Sequence, residues 1–142
     1  MRIWDSTNLL TLRKIGISSD FQSSISCLSF SKLDDGQHLA VVDDGNEKWL
    51  SIWNWQNGQK PIATAKSYSD LVFVAEFSPV EKNLIVTCGK QHVTFWNFDG
   101  QNLTKRMGHF ESFNGAKVPF RIEKPKYVTC SKFYLISNFQ VV

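Results

Sequence analysis

Short apolar runs rich in β-branched and aromatic residues recur along the chain, separated by polar turn residues. One set comprises 25–31, 38–43, 49–55 and 62–66. A second comprises 72–78, 83–88, 92–98 and 102–107. Asp34-Asp35-Gly36, Asp44-Gly45-Asn46, Asn57-Gly58 and Asp99-Gly100 stand between runs, where Gly and Asn tolerate positive φ. Runs of this length and composition predict antiparallel strands, and no stretch sustains a helical period. Pro61, Pro79, Pro119 and Pro125 lie near segment starts or in loops, where a missing amide proton costs little.

The two sets are copies of one unit. Phe30-Ser31 matches Phe77-Ser78, and Leu39-Ala40-Val41-Val42 matches Leu84-Ile85-Val86-Thr87. Leu50-Ser51-Ile52-Trp53-Asn54-Trp55 matches Val93-Thr94-Phe95-Trp96-Asn97-Phe98. The same ending occurs a third time as Ile3-Trp4-Asp5, followed by an outer-strand run from Leu9 to Lys14. A period of about 40–45 residues, four strands per unit and a Trp-Asp or Trp-Asn ending predict the blades of a β-propeller.

The expected organisation is the end of a partial blade over 1–16, a blade over 17–68, a blade over 69–108, and a basic loop with a partial or irregular blade over 109–142. In the last part Tyr127-Val128-Thr129-Cys130 reads as an inner strand. Propellers close with about four to eight blades. The fold class is therefore all-β, an incomplete propeller arc of two full blades and two partial ones, expected to be a piece of a larger propeller. An open arc should leave apolar sheet faces in water at both ends, forfeiting on the order of 5–10 kcal/mol of burial per face.

Composition narrows the class further. The chain has 142 residues, 42% of them hydrophobic, enough for a core. It lacks an apolar stretch long enough for a membrane-spanning helix, and Met1-Arg2-Ile3-Trp4-Asp5 does not have a signal-peptide layout. Cys27, Cys88 and Cys130 are scattered within apolar runs, which predicts reduced structural thiols in the cytosol. Asn102-Leu103-Thr104 matches a glycosylation sequon that a cytosolic chain would not use.

The candidate chemistry reads as structural. Asp43, Asp44 and Glu47 fall in a hairpin turn rather than on one face, which predicts Asx-type hydrogen bonds instead of acid–base or metal chemistry. His38, His92 and His109 are too far apart for a metal site; the first two are expected at strand edges and the third in a loop. Cys88, inside Leu84–Cys88, reads as a small buried hydrophobe. Trp53 and Trp55, like Trp96 and Phe98, share a strand face, which predicts packing between blades rather than ligand stacking. No Gly-rich phosphate loop is present. The sequence thus predicts no enzyme activity, no cofactor and no metal.

Charge supplies the one partner argument. Residues 1–99 hold 9 Lys/Arg and 11 Asp/Glu, a net −2, whereas residues 100–142 hold 7 and 2, a net +5. Lys105, Arg106, Lys117, Arg121, Lys124, Lys126 and Lys132 make this end basic. The first six are the candidate partner-binding residues, suited to an acidic surface or otherwise to solvent. Phe110, Phe113, Phe120 and Tyr127 interleave with them, which keeps a nucleic-acid-binding module as a third reading.

Several strings are more specific than a generic repeat. They are Arg2-Ile3-Trp4-Asp5-Ser6; Val41-Val42-Asp43-Asp44-Gly45-Asn46-Glu47 before Leu50-Ser51-Ile52-Trp53-Asn54-Trp55; Val86-Thr87-Cys88-Gly89-Lys90-Gln91-His92 before Phe95-Trp96; and Glu123-Lys124-Pro125-Lys126-Tyr127-Val128. Over about 2–110 and 123–130 the chain resembles the propeller region of the echinoderm microtubule-associated protein-like family. That resemblance implies a cytoplasmic, cytoskeletal and non-enzymatic role in binding tubulin or microtubules. Tubulin's acidic tails would match the basic end of the chain, with long-range attraction that weakens in salt. A general repeat adaptor that recruits other proteins is the second reading.

Overall fold

The computed structural model describes residues 1–90 and 92–108. Among the described residues ten strands form three antiparallel sheets. A two-stranded sheet pairs β1 (Arg2–Trp4) with β2 (Thr11–Lys14). The second sheet runs in order through β3 (Ile25–Phe30), β4 (His38–Asp43), β5 (Trp49–Asn54) and β6 (Ala63–Lys66). The third runs through β7 (Val72–Phe77), β8 (Leu84–Gly89), β9 (His92–Phe98) and β10 (Leu103–Met107). Among the described residues the only helical element is a 3₁₀ turn, Ser18–Asp20, where the Asp20 carboxylate accepts the Ile17 amide. The architecture is the all-β partial propeller that the repeat predicts. β4 and β9 have the bounds expected from the sequence, and the other strands differ by one or two residues at one or both ends, as terminal pairs do.

The repeat extends to backbone detail. Each full sheet has a register shift at the start of its inner strand, between Ile25 and Cys27 and between Val72 and Val74. Cross-strand partners also coincide, Val42 facing Leu50 as Cys88 faces Val93, which corrects the sequence match of these strands by one residue: Leu39 corresponds to Ile85, not Leu84.

Burial explains why β4 lacks an alternating pattern. It lies in the middle of a sheet covered on both faces. Ala40, Val42, Leu50 and Ile52 pack on one side against Val72, Ala75, Phe77, Ile85, Trp96 and Phe98 of the next sheet. Leu39, Val41 and Trp53 pack on the other side with Ile15, Met1, Ile3 and Phe21. A strand buried on both faces reads as a continuous apolar run.

The tryptophans take the inter-sheet role expected of them, with unequal burial. Trp53 and Trp96 are 0% and 1% exposed, whereas Trp4 is 59% exposed. Leu28 and Phe30, 51% and 40% exposed, join Met1, Ile3, Trp4 and Leu39 in lining a cleft of about 210 Å³ beside β1. This is the side where the first sheet has no strands inward of β1. At the other end, Val86 and Cys88 are buried, with Val74, Val93 and Phe95 packed against them.

Two turns correct the sequence reading. In the turn after β5 neither Asn57 nor Gly58 has a positive φ. In the β4–β5 hairpin the left-handed residue is Lys48 (φ 46°), and Gly45 does not have a positive φ. Gly45 is required there for space, because a Cβ would sit 2.7 Å from the Gln22 Cβ. Asp35-Gly36 and Gly100 do adopt positive φ, as their turn signals predict.

Candidate interaction surface

The acidic hairpin resolves into three separate roles. Asp43 ends β4 and is buried; its carboxylate accepts the main-chain amides of Gln22 (3.1 Å), Gly45 (3.3 Å) and Trp49 (3.0 Å). Asp44 pairs with Lys48 at 2.7 Å, and Glu47 with Lys66 at 2.6 Å. The carboxylates do not converge, so Asp43 is a loop clamp as the Asx reading predicts. Asp43→Ala leaves three amides without their acceptor and is expected to lower stability by about 1–3 kcal/mol. A chemical-denaturation midpoint measures this, and an unchanged midpoint would refute the clamp.

The histidines are also apart. His38 begins β4, with its Nδ1 2.6 Å from the Asp34 carboxylate, which also accepts from the Ser31 hydroxyl. Burial pushes the Asp34 carboxyl up, but the hydrogen bonds from Ser31 and His38 outweigh it and hold the group below its ordinary value. His92 begins β9, at the strand edge expected of it, and is buried there. Burial pushes the Cys27 and Cys88 thiols up to about 11, so both stay protonated at neutral pH. Among the described residues no group of three or more His, Cys, Asp and Glu is placed to hold a metal ion.

The indole N–H groups of the repeat find hydroxyls by two routes. Trp96 donates to Thr87 on the neighbouring strand, and Trp53 donates to Ser51 on its own strand, both at 2.9 Å. Thr87 pairs across with Thr94, and the equivalent pair in the preceding sheet is Val41 with Ser51. Valine cannot accept, so the acceptor comes from the other member of the pair.

Of the candidate basic residues, Lys105 and Arg106 lie on β10, while Lys117, Arg121, Lys124 and Lys126 fall outside the described residues. Lys105 and Arg106 do not share a face. Lys105 pairs across from Trp96, and its ammonium lies 5.8 Å from that ring centre. It also donates to the carbonyls of Lys66 (3.3 Å) and Ser67 (3.5 Å), which ties β10 to the preceding sheet. Arg106 pairs across from Phe95, and its guanidinium lies 5.8 Å from that ring on the opposite face. The alternation of a strand separates the two side chains. Lys66 lies over its own cross-strand partner Trp49 at 5.6 Å, which repeats the Lys105–Trp96 arrangement. Sequence reasoning missed these cation–π pairs because they depend on register; a basic residue in an outer strand that pairs with an aromatic residue of the third strand is the signal that could have found them.

Comparison with known proteins places this geometry. A family model described as the echinoderm microtubule-associated protein first beta-propeller matches residues 1–138. The chain is 43% identical over 133 residues to mouse (Mus musculus) echinoderm microtubule-associated protein-like 4, covering 94% of this chain and 12% of that protein. To the rat (Rattus norvegicus) echinoderm microtubule-associated protein-like 1 it is 44% identical, covering 94% of this chain and 15% of that protein. To the rat echinoderm microtubule-associated protein-like 2 it is 41% identical, covering 94% and 19%. The chain thus spans less than a fifth of the length of these relatives. With repeated sheets packed on buried tryptophans and a match across nearly its whole length, the chain belongs to the echinoderm microtubule-associated protein family, within the first β-propeller.

Proposed function

We propose that this chain serves a cytoplasmic, non-enzymatic scaffold that binds tubulin or microtubules. The observation that carries the reading is the family match, since the relatives are named as microtubule-associated proteins. Rigid sheets position loops and edge strands, and binding needs no reacting group. Arg106 is exposed on the outer strand and is the described member of the proposed contact set. Lys117, Arg121, Lys124 and Lys126 would extend that basic surface toward acidic tubulin tails. Lys105 contributes indirectly, by fixing β10 in place.

Cosedimentation with microtubules at low and at physiological salt tests this. Pelleting is expected at low salt and should fall as salt rises. Reversing Arg106, Lys117, Arg121, Lys124 and Lys126 to Glu together should weaken it about tenfold or more, mainly through slower association. Unchanged pelleting in that variant would remove the electrostatic reading. A general protein-recruiting scaffold is the second reading, favoured by the engagement of Lys105 in inter-sheet bonds rather than in a free basic patch. Salt-independent capture of a neutral protein partner, with no pelleting at low salt, would support it.

A further inference from the structure

We infer that His92 is a pH-sensitive latch that holds the connection 67–71 against the turn after β8. The imidazole is 3% exposed and stacks on Tyr68, with ring centres 4.2 Å apart and planes 23° apart. Its Nδ1 lies 3.3 Å from the Lys90 carbonyl, and its Nε2 is buried with no hydrogen-bond partner. The space is tight: a Cβ on Gly89 would lie 2.2 Å from the His92 ring and 1.9 Å from the Leu71 carbonyl oxygen.

Among the described residues the other ties between the two segments are few. The Lys90 amide donates to the Leu71 carbonyl at 2.9 Å, and the exposed Lys90–Asp70 ion pair spans 3.5 Å. The Ser67 hydroxyl on the same connection is also buried without a partner. The closed arrangement thus leaves two polar groups unmet, which narrows its margin over an open one.

Charging the ring should tip that balance. With the Nδ1 proton donated to Lys90, the neutral ring leaves Nε2 bare; a second proton adds an N–H with no acceptor and a buried positive charge. Among the described residues the charged and titratable groups around it are Tyr68 and Asp70 on the connection, Lys90 on the turn, and Lys105 of β10, which bonds to the Ser67 carbonyl. Asp70 is the one anion among them, and it is already shared with Lys90 at the surface. Burial lowers the His92 pKa below its ordinary value, more than the Lys90 carbonyl and Asp70 raise it. The closed state is therefore favoured in full above about pH 6.5 and loses that advantage as pH falls through the lower folded value. Opening removes the Lys105 bond to the Ser67 carbonyl and leaves its bond to the Lys66 carbonyl in place.

Hydrogen exchange of the 142-residue chain tests the latch, read at the amides of Ser67 and Lys90 and corrected for intrinsic exchange. From about pH 7.5 to about pH 5.5 their protection should fall, by up to about tenfold, while β3–β4 amides keep theirs. His92→Gln should abolish this pH dependence. As a readout needing no substitution, NMR titration of the His92 ring should give a pKa below that of a free imidazole. A normal or raised pKa, pH-independent protection in the parent, or pH dependence surviving in His92→Gln would each overturn the inference.

Discussion

Trp96→Ala is expected to destabilise the protein by about 3–5 kcal/mol, whereas Trp4→Ala should cost less than about 1 kcal/mol, although both tryptophans end the same repeated motif. Trp96 is 1% exposed and lies in the cluster that joins the two full sheets, with Phe98, Ile85, Ala75 and Val72 from its own sheet and Ala40, Val42, Leu50 and Ile52 from the other. Removing the indole leaves a cavity between sheets that are each held by a full hydrogen-bond ladder, so collapse can fill little of it. It also leaves the hydroxyl of Thr87, which is 0% exposed, without its donor, and Lys105 without its aromatic partner. Trp4 is 59% exposed and has little of this to lose.

Urea unfolding followed by far-ultraviolet circular dichroism compares the two variants directly. Trp53→Ala belongs with Trp96→Ala, because Trp53 is equally buried, donates to Ser51 and stacks on Phe21 with ring centres 5.6 Å apart. Equal losses at Trp4 and Trp96 would mean that motif position, not burial between sheets, sets the energetics. That result would remove the physical basis of the stacked-sheet reading.

Much of this was legible in the sequence because the repeat aligns two copies of the same unit. Where Phe30-Ser31 falls on Phe77-Ser78 and Trp53 on Trp96, each copy checks the strands of the other, and the ends were placed within a residue or two. The position of Asp43 at the end of β4 was enough to predict a carboxylate turned onto main-chain amides. Features that depend on register were not legible. Neighbours in sequence such as Lys105 and Arg106 look like one basic patch until alternation assigns them to opposite faces. The hydroxyl that satisfies each tryptophan moves from Thr87 to Ser51, because the two members of a cross-strand pair can exchange roles. Gly45 marks a turn in the sequence, yet its small size serves Gln22 rather than a left-handed backbone. The candidate site was legible only as charge, since four of its six residues lie outside the described part of the chain.

Gly89→Ala is the second large effect expected, about 3 kcal/mol or more of lost stability, against less than about 1 kcal/mol for Gly58→Ala. The difference lies in what an added methyl group would meet. At Gly58 the nearest atom is the Asn54 carbonyl oxygen at 3.3 Å, a contact that a small shift relieves. At Gly89 the methyl carbon would sit 1.9 Å from the Leu71 carbonyl oxygen and 2.9 Å from the Leu71 carbonyl carbon, and neither belongs to a flexible side chain. Gly89 is also paired on both sides, with Val72 of β7 and His92 of β9, so the strand end cannot swing away alone. The equivalent position in the preceding sheet holds Asp43, which pairs with Ile25 as Gly89 pairs with Val72. The ladder itself therefore accepts a side chain there. What demands glycine is the approach of Leu71, whose carbonyl accepts the Lys90 amide, together with the buried ring of His92. The double variant Gly89→Ala/His92→Ala removes one obstruction and leaves the other, so it should not recover the stability of His92→Ala alone. Thermal melts of the four proteins decide the matter. A Gly89→Ala loss within about 0.5 kcal/mol of zero would show that Leu71 stands further from the turn, and it would loosen the packing on which the latch depends.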